Sequence, residues 1–413
     1  MTLADKVTNN ESVYKEGALK ITKMTPAEVT FTVIGAVIGS GCLGTAYASR
    51  LAGWPVIALW FILAGFLTVC SMLYVAETSL RTKNLVQLPG LAERYVGKVG
   101  SIIIFASVAV NSIGCLIAYF NGSGDILAQM LGVSREIGMI IFLIPAVGVS
   151  WFGLKATGAG AKLLSIGMIT LLVVLCIASF LSDKVDVNNV VFVNWRFAVP
   201  LFSVAAFSYI GQYLVPDLVR GMSHDPKKLA PAIVKGMVIS AVLLIMIPLS
   251  VMLINKPDEI TQVATLSWGQ ALGDWAFFTS NIFALIAMLT SYWAIKTTFV
   301  TNVVDVLKLK SEWDIKTRVV ITAVIVAIPL YLSMGGLVGF VDAIWAAGTF
   351  GGVVMAIIPV MMLRSSRKTG DIDPEWKCGW YSHAFFQWAL IIIYSSVAVY
   401  AVFGMLGYLP AGW

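Results

Sequence analysis

The sequence predicts an all-α, polytopic membrane protein of about eleven helices, arranged as a 5+5 inverted repeat with broken helices 1 and 6. Three observations carry that expectation. The 413-residue chain is 59% hydrophobic and only 12% charged, with a mean hydropathy of +0.87, which excludes a soluble globular domain. Its apolar residues fall into runs long enough, or nearly so, to cross about 30 Å of hydrocarbon. The spans lie at roughly 26–50, 53–80, 100–131, 137–153, 163–182, 197–222, 232–254, 275–306, 317–333, 336–363 and 384–406. Finally, the first run is interrupted midway by Gly35, Gly39, Gly41 and Gly44, and each glycine weakens a helix by about 1 kcal/mol relative to Ala.

Residues 1–25 form a polar tail of mixed charge, expected to be cytoplasmic, so the first span is expected to remain in the mature protein. Thr25-Pro26-Ala27-Glu28 opens that span. Thr25 can cap the free amides, Pro26 suits the first turn, and Glu28 completes a capping box. A lipid-facing helix would gain nothing from the glycines that follow. A helix that breaks at mid-membrane exposes amides that can hold an anion and carbonyls that can hold a cation.

Spans one to five make a first repeat, 26–182, and an outer polar loop, 183–196, separates it from a second, 197–363. Five is odd, so the second set enters from the opposite side. Its first span also carries an interruption: after Pro200, the residues Ser208, Gly211 and Gln212 disturb the apolar run, and Pro216 resets the helix. An inner loop and the eleventh span complete the chain at 364–413.

Charge orients these spans. With the N-terminus cytoplasmic, 22 of the 28 basic residues fall on inner segments, five on outer ones, and Lys296 lies within a span. The positive-inside rule therefore sets the N-terminus in the cytoplasm and the C-terminus outside, in the cell membrane. The net charge of +6 reflects this topology, and no nucleic-acid partner is expected. Cys42, Cys70, Cys115 and Cys176 lie within spans and Cys378 in an inner loop, so none is placed for an extracellular disulfide. No His, Cys and carboxylate residues cluster at one depth, which argues against an enzyme. Two interrupted spans at corresponding positions point instead to a secondary transporter working by alternating access, with a small molecule as its partner and the bilayer as its solvent.

Particular residues sharpen that expectation. Ile38-Gly39-Ser40-Gly41-x-Leu43-Gly44 lies in span one, Tyr74-Val-Ala-Glu77 closes span two, and Gly114-x-x-x-Ala118-Tyr119, with Gly122 and Asp125, lies in span three. Pro216-x-x-x-Arg220 leads to Asp225-Pro226-Lys227 after span six. With these motifs the chain resembles the amino acid/auxin permease family of the amino acid–polyamine–organocation superfamily, which shares the leucine-transporter fold. Within it the chain looks like the bacterial aromatic and neutral amino acid permeases. The resemblance covers spans one to ten. It implies cation-coupled amino acid symport, with a neutral and in the narrower reading aromatic substrate.

The candidate site follows from both readings. Amides near Gly39, Ser40, Gly41 and Cys42, with the Ser40 hydroxyl, would bind the substrate carboxylate at a half-helix N-terminus. The competing reading is a small-residue helix contact. Carbonyls near Phe207 and Ser208 would accept the ammonium, and Phe207 and Tyr209 would line the side-chain pocket. By resemblance, Tyr119 would close over the substrate. Gln212 is counted with these substrate-binding residues and, by resemblance, stands where many relatives carry histidine. By resemblance to sodium-coupled members, Thr290 and Ser291 with the carbonyls of Gly35, Ile38 and Ala287 would form an Na+ site, the alternative being hydroxyls bonded back to their own helix.

Lys296 lies about 7.5 Å along the axis and roughly 140° around from Ser291. It could couple transport to H+, pair with Asp217, Glu77 or Asp305, or snorkel. Asp342 could gate the outer vestibule, take a proton or cap its helix. No cofactor is expected beyond a coupling ion, Na+ or H+. A nucleobase or amine permease on the same fold, or an amino acid sensor without turnover, would share most of these features. Oligomeric state is not legible.

Overall fold

The computed structural model describes residues 23–151, 154–309 and 314–409. Among these the chain is all-helical. Eight helices are long and apolar enough to cross a membrane, and a bent pair at the start makes up to nine. This is a multi-pass membrane protein. Most of the tail predicted at 1–25 lies outside the described residues.

The bent pair is α1 (Pro26–Val37) and α2 (Ser40–Ser49). The capping box forms as the sequence predicts: the Glu28 amide donates to Thr25 Oγ1 at 3.2 Å, and Thr25 N–H donates to Glu28 Oε2 at 2.7 Å. Glu28 is thereby accounted for. α3 (Trp54–Leu80), α5 (Lys98–Leu131), α6 (Arg135–Trp151) and α7 (Leu154–Phe180) follow. A short helix, α4 (Leu88–Tyr95), precedes α5 where the sequence reads as loop. It buries Leu88, Leu91, Ala92 and Tyr95, spaced to put apolar side chains on one face.

The second half repeats the interruption. α8 (Ala198–Tyr209) and α9 (Val215–Gly221) are separated by Ile210, Gly211 and a tight turn over Gln212–Leu214. α10 (Pro226–Ile254), the short α11 (Ala264–Leu272), α12 (Asp274–Val306) and α13 (Ile315–Met334) come next. α14 (Phe340–Ala346) runs through a wider π-helical turn, Ala347–Gly352, into α15 (Val353–Thr369), and α16 (Ala384–Met405) ends the described chain. π-Turns of this kind are frequent near functional sites because they release backbone groups from the regular ladder.

Packing divides the helices by neighbour. α1 lies along α10, α3 along α8 and α10, and α2 against α8. α12 is flanked by α5, α6 and α7. Ile62, Ile144 and Ile177 point outward from α3, α6 and α7, exposed by 63%, 70% and 53%. A lipid-facing surface accepts such side chains, whereas water would drive them together.

Candidate functional site

The first break is made of backbone. After Val37, the Ile38 amide still donates to Ile34 O at 2.8 Å and the Gly39 amide reaches only Val37 O at 3.1 Å. The two arms meet at 43°. The first amides of α2 have no preceding turn to accept them, which leaves partial positive charge at its start. Cys42 is turned to closing the break: its amide donates to Gly39 O at 3.3 Å and its thiol to the same oxygen at 2.9 Å. The Ser40 hydroxyl lies outside the described residues.

The second break is closed partly by a side chain. The Ile210 amide donates to Phe207 O at 3.1 Å, ending α8. The Gly211 amide donates to Gln212 Oε1 at 3.1 Å, and the Leu214 amide to Gly211 O at 3.0 Å. Gln212 is therefore the cap of this break. Pro216 then stands in the first turn of α9, as its missing N–H allows.

These two breaks touch. A Cβ on Gly41 would sit 2.7 Å from Ser208 Oγ and 2.9 Å from Ser208 Cα, so only glycine lets α2 approach α8 this closely. A Cβ on Gly39 would sit 2.5 Å from Ser291 Oγ and 3.3 Å from the Tyr119 hydroxyl. Gly39, Gly41, Tyr119, Phe207 and Ser208 line one small cavity of about 10 Å³, room for roughly one water. In this arrangement the centre is closed, and anything larger than a water would require its walls to part. Tyr209 is not among the lining residues. Its ring packs edge-on to Phe61 at 5.8 Å and over Gly65 on α3. Successive helical residues point 100° apart, so Ser208 and Tyr209 face different neighbours.

The same cavity is lined by Asn111, Cys115 and Tyr213, which sequence reasoning passed over. Asn111, Cys115 and Tyr119 recur every four residues and so mark one face of α5. That stripe was available as a signal once Tyr119 had been singled out. Ser165 on α7 was also missed: it is fully buried, and its hydroxyl lies 3.1 Å from where a Gly35 Cβ would be.

The residues expected at a cation site come together in two pairs. Ser291 Oγ donates to Gly35 O at 2.8 Å, joining α12 to α1. Thr290 Oγ1 bonds back to Ile286 O at 3.0 Å and Ala287 O at 3.1 Å within its own helix. Ile38 is buried at the end of α1. All of these donors are neutral oxygens, the kind that suits a hard monovalent cation. Among the described residues no group of three or more His, Cys, Asp or Glu could hold a metal ion.

Lys296 is 1% exposed, one residue beyond Ile295, which lines the cavity. The carboxylates considered for it are held by other groups. Asp217 Oδ1 accepts from Arg220 Nη2 at 2.9 Å and from Gln87 Nε2 at 2.8 Å. Asp305 Oδ2 accepts from the Gln87 amide at 2.9 Å. Glu77, fully buried, accepts from Arg81 Nε, Arg367 Nε and Arg367 Nη2, each at 2.9 Å, and from the Cys378 amide at 2.7 Å. Asp342 stands exposed in the first turn of α14, its carboxylate 2.8 Å from where a Gly339 Cβ would be. An acid there suits the helix N-terminus.

Comparison with known proteins places the chain among transport proteins. The chain is 22% identical to the tryptophan-specific transport protein of Haemophilus influenzae over 364 residues, covering 81% of this chain and 86% of the relative. It is 24% identical to tyrosine-specific transport system 1 of the same organism over 357 residues, covering 82% and 88%. These relatives are transport proteins and not enzymes. Residues 24–399 match the tryptophan/tyrosine permease family, from the capping box to the last helix, and the chain belongs to that family.

Proposed function

We propose that this protein is a cation-coupled symporter for aromatic amino acids, working by alternating access, with its substrate held between the breaks of spans one and six. The observation that carries the reading is the contact between Gly41 and Ser208, which sets the start of α2 against the end of α8. A zwitterion needs amide hydrogens for its carboxylate and carbonyl oxygens for its ammonium, and two facing half-helices supply both. The relatives' substrates, tryptophan and tyrosine, supply the aromatic class.

The reading extends to architecture. Eleven spans in two inverted sets of five, as in the leucine-transporter fold and the amino acid/auxin permeases, would make α1, α3, α8 and α10 a bundle that rocks against the rest. Their mutual packing supports this. The distribution of Lys and Arg supports a cytoplasmic N-terminus. Under that orientation the Glu77 and Asp217 clusters lie at the cytoplasmic end.

For the coupling ion, the Ser291–Gly35 contact favours Na+, because it already joins two neutral oxygens from different helices. Lys296, buried in the same helix, favours H+ as the second reading. Thermal unfolding of the purified protein against the twenty amino acids, each in sodium and in choline buffer, tests both. Ligand at a hundred times its Kd stabilises by about 2.7 kcal/mol. Stabilisation by tryptophan or tyrosine in sodium alone is the expected result. Equal stabilisation in choline turns the coupling to H+, and no response to any aromatic amino acid overturns the reading.

A further inference from the structure

Asn111 is a polar side chain with nothing to do in the closed protein. It is 1% exposed, and its Oδ1 has no hydrogen-bond partner among the described residues. It lines the central cavity. A buried amide oxygen without a partner is costly, and most proteins avoid it. Its surroundings on α5 offer no relief: Cys115 follows one turn on, and on its other side a Cβ on Gly351 would lie 3.0 Å from Asn111 Cβ. Val37 and Ile295 line the same cavity.

Position along α5 gives the unpartnered oxygen a meaning. Asn111 and Tyr119 lie eight residues apart on one face, about 12 Å between Cα atoms. Helical side chains lean toward the N-terminus, so the long Tyr119 side chain reaches back toward Asn111 by about a turn. Its hydroxyl is close to Gly39, where the amino acid head group is proposed to sit. What remains between that level and Asn111 is about one helical turn, the reach of an aromatic side chain.

We infer that Asn111 determines specificity at this site, its amide oxygen accepting the indole N–H of tryptophan or the phenol O–H of tyrosine. This rests on the aromatic amino acid reading above. A ring that donates satisfies the buried oxygen, whereas phenylalanine leaves it unpaired. Sites built around a hydrogen bond reject the analogue that lacks it far more strongly than apolar pockets reject a missing methylene.

The test is competition in proteoliposomes by tryptophan, tyrosine, phenylalanine and 1-methyltryptophan, whose ring nitrogen carries no hydrogen. The wild-type protein is expected to bind phenylalanine and 1-methyltryptophan about 10- to 100-fold more weakly than their donor-bearing counterparts. In Asn111→Leu that preference collapses to within about threefold, and the change appears in KM ratios. Equal competition by tryptophan and 1-methyltryptophan in the wild type overturns the inference without recourse to any variant. So does an Asn111→Leu protein that weakens all four ligands alike. If the wild type responds to no aromatic amino acid, the transport reading itself falls, and this inference with it.

Discussion

At the centre of the molecule, where Gly41 meets Ser208 and Ser291 meets Gly35, neighbouring helices touch through neutral backbone and hydroxyl groups. At the end where Glu77, Gln87, Asp217 and Arg367 gather, α3 is joined to α15, and the segment before α4 to α9, by charged hydrogen bonds. One Glu77 carboxylate takes four donors from α3, α15 and the segment after it. Neutral close contacts depend on shape and yield when a ligand offers better partners. Buried charges resist separation because each, once exposed to its neighbours alone, loses both water and counter-ion. The contrast separates a neutral centre from a charged end; under the proposed mechanism, ligand rearranges the first and transport unlatches the second.

Breaking the centre should have the largest effect. Gly41→Leu would drive a side chain into Ser208, whose Cα already lies 2.9 Å from the first atom that would be added. Uptake is expected to be abolished while membrane expression persists. Normal uptake by this variant would remove the two-break site from the mechanism.

Breaking the charged end should cost stability first. Glu77→Gln leaves Arg81 and Arg367 facing each other without their shared anion, and loss of one partner from a buried ion pair costs about 3–5 kcal/mol. The measurement is the melting temperature in detergent, with ligand-induced stabilisation recorded beside it. An unchanged melting temperature would show that this cluster is not what holds α3 to α15.

A smaller effect is expected where the charged end ties α9 to α12 through Gln87. Gln87 bonds Asp217 on α9 through its side chain and Asp305 on α12 through its amide. Asp217→Asn takes the charge from the Gln87 bond, worth about 1.5–3 kcal/mol, and from the buried Arg220 pair within α9, and should favour opening at this end. Cys115 lines the cavity and is buried when it is closed. With Cys115 as the sole cysteine, thiol labelling should speed up by about tenfold in Asp217→Asn, since 1.4 kcal/mol is a factor of ten. Labelling at the wild-type rate would mean that the Gln87 bridge does not limit opening.

How much of this was legible beforehand differs between the two regions in the same way. The first break was readable because glycine and a capping box act locally, through the residue's own backbone. The family resemblance also concentrates there. The facing of side chains was readable only in part: Tyr119, Phe207 and Ser208 do line the cavity. Tyr209 was expected in the pocket and Asn111 was not considered, because a residue's direction depends on where the break resets the helical phase. One residue shifts that direction by 100°. Gln212 shows the same limit: its place in the family pattern puts it among the substrate-binding residues, while the structure turns its oxygen onto the Gly211 amide one residue back. At the charged end, Glu77 stood out as part of a motif, but apart from Arg81 one turn on, its partners come from about three hundred residues away. Local rules do not reach that far.

The smallest predicted effect concerns acid. Asp371, in the segment between α15 and α16, accepts from the Lys83 amide at 3.0 Å and pairs with Arg94. The Lys83 amide and then Arg94 hold its carboxyl below the usual carboxylate range. A group whose pKa is lowered by folding contributes stability above its unfolded pKa, about 3.9 for Asp, and that contribution is lost as pH falls through the folded value. The side chain is 31% exposed, so solvent screening holds the contribution to about 1 kcal/mol or less. Asp371→Asn should therefore lower the melting temperature slightly at pH 7, and the difference should shrink as pH falls through the folded value and the wild-type carboxyl also becomes neutral. The Gly41–Ser208 contact carries no titratable group and predicts no such convergence. A Gly41→Ala variant whose deficit also vanished in acid would show that protonation reaches the centre, and the division between a neutral centre and a charged end would fail at that point.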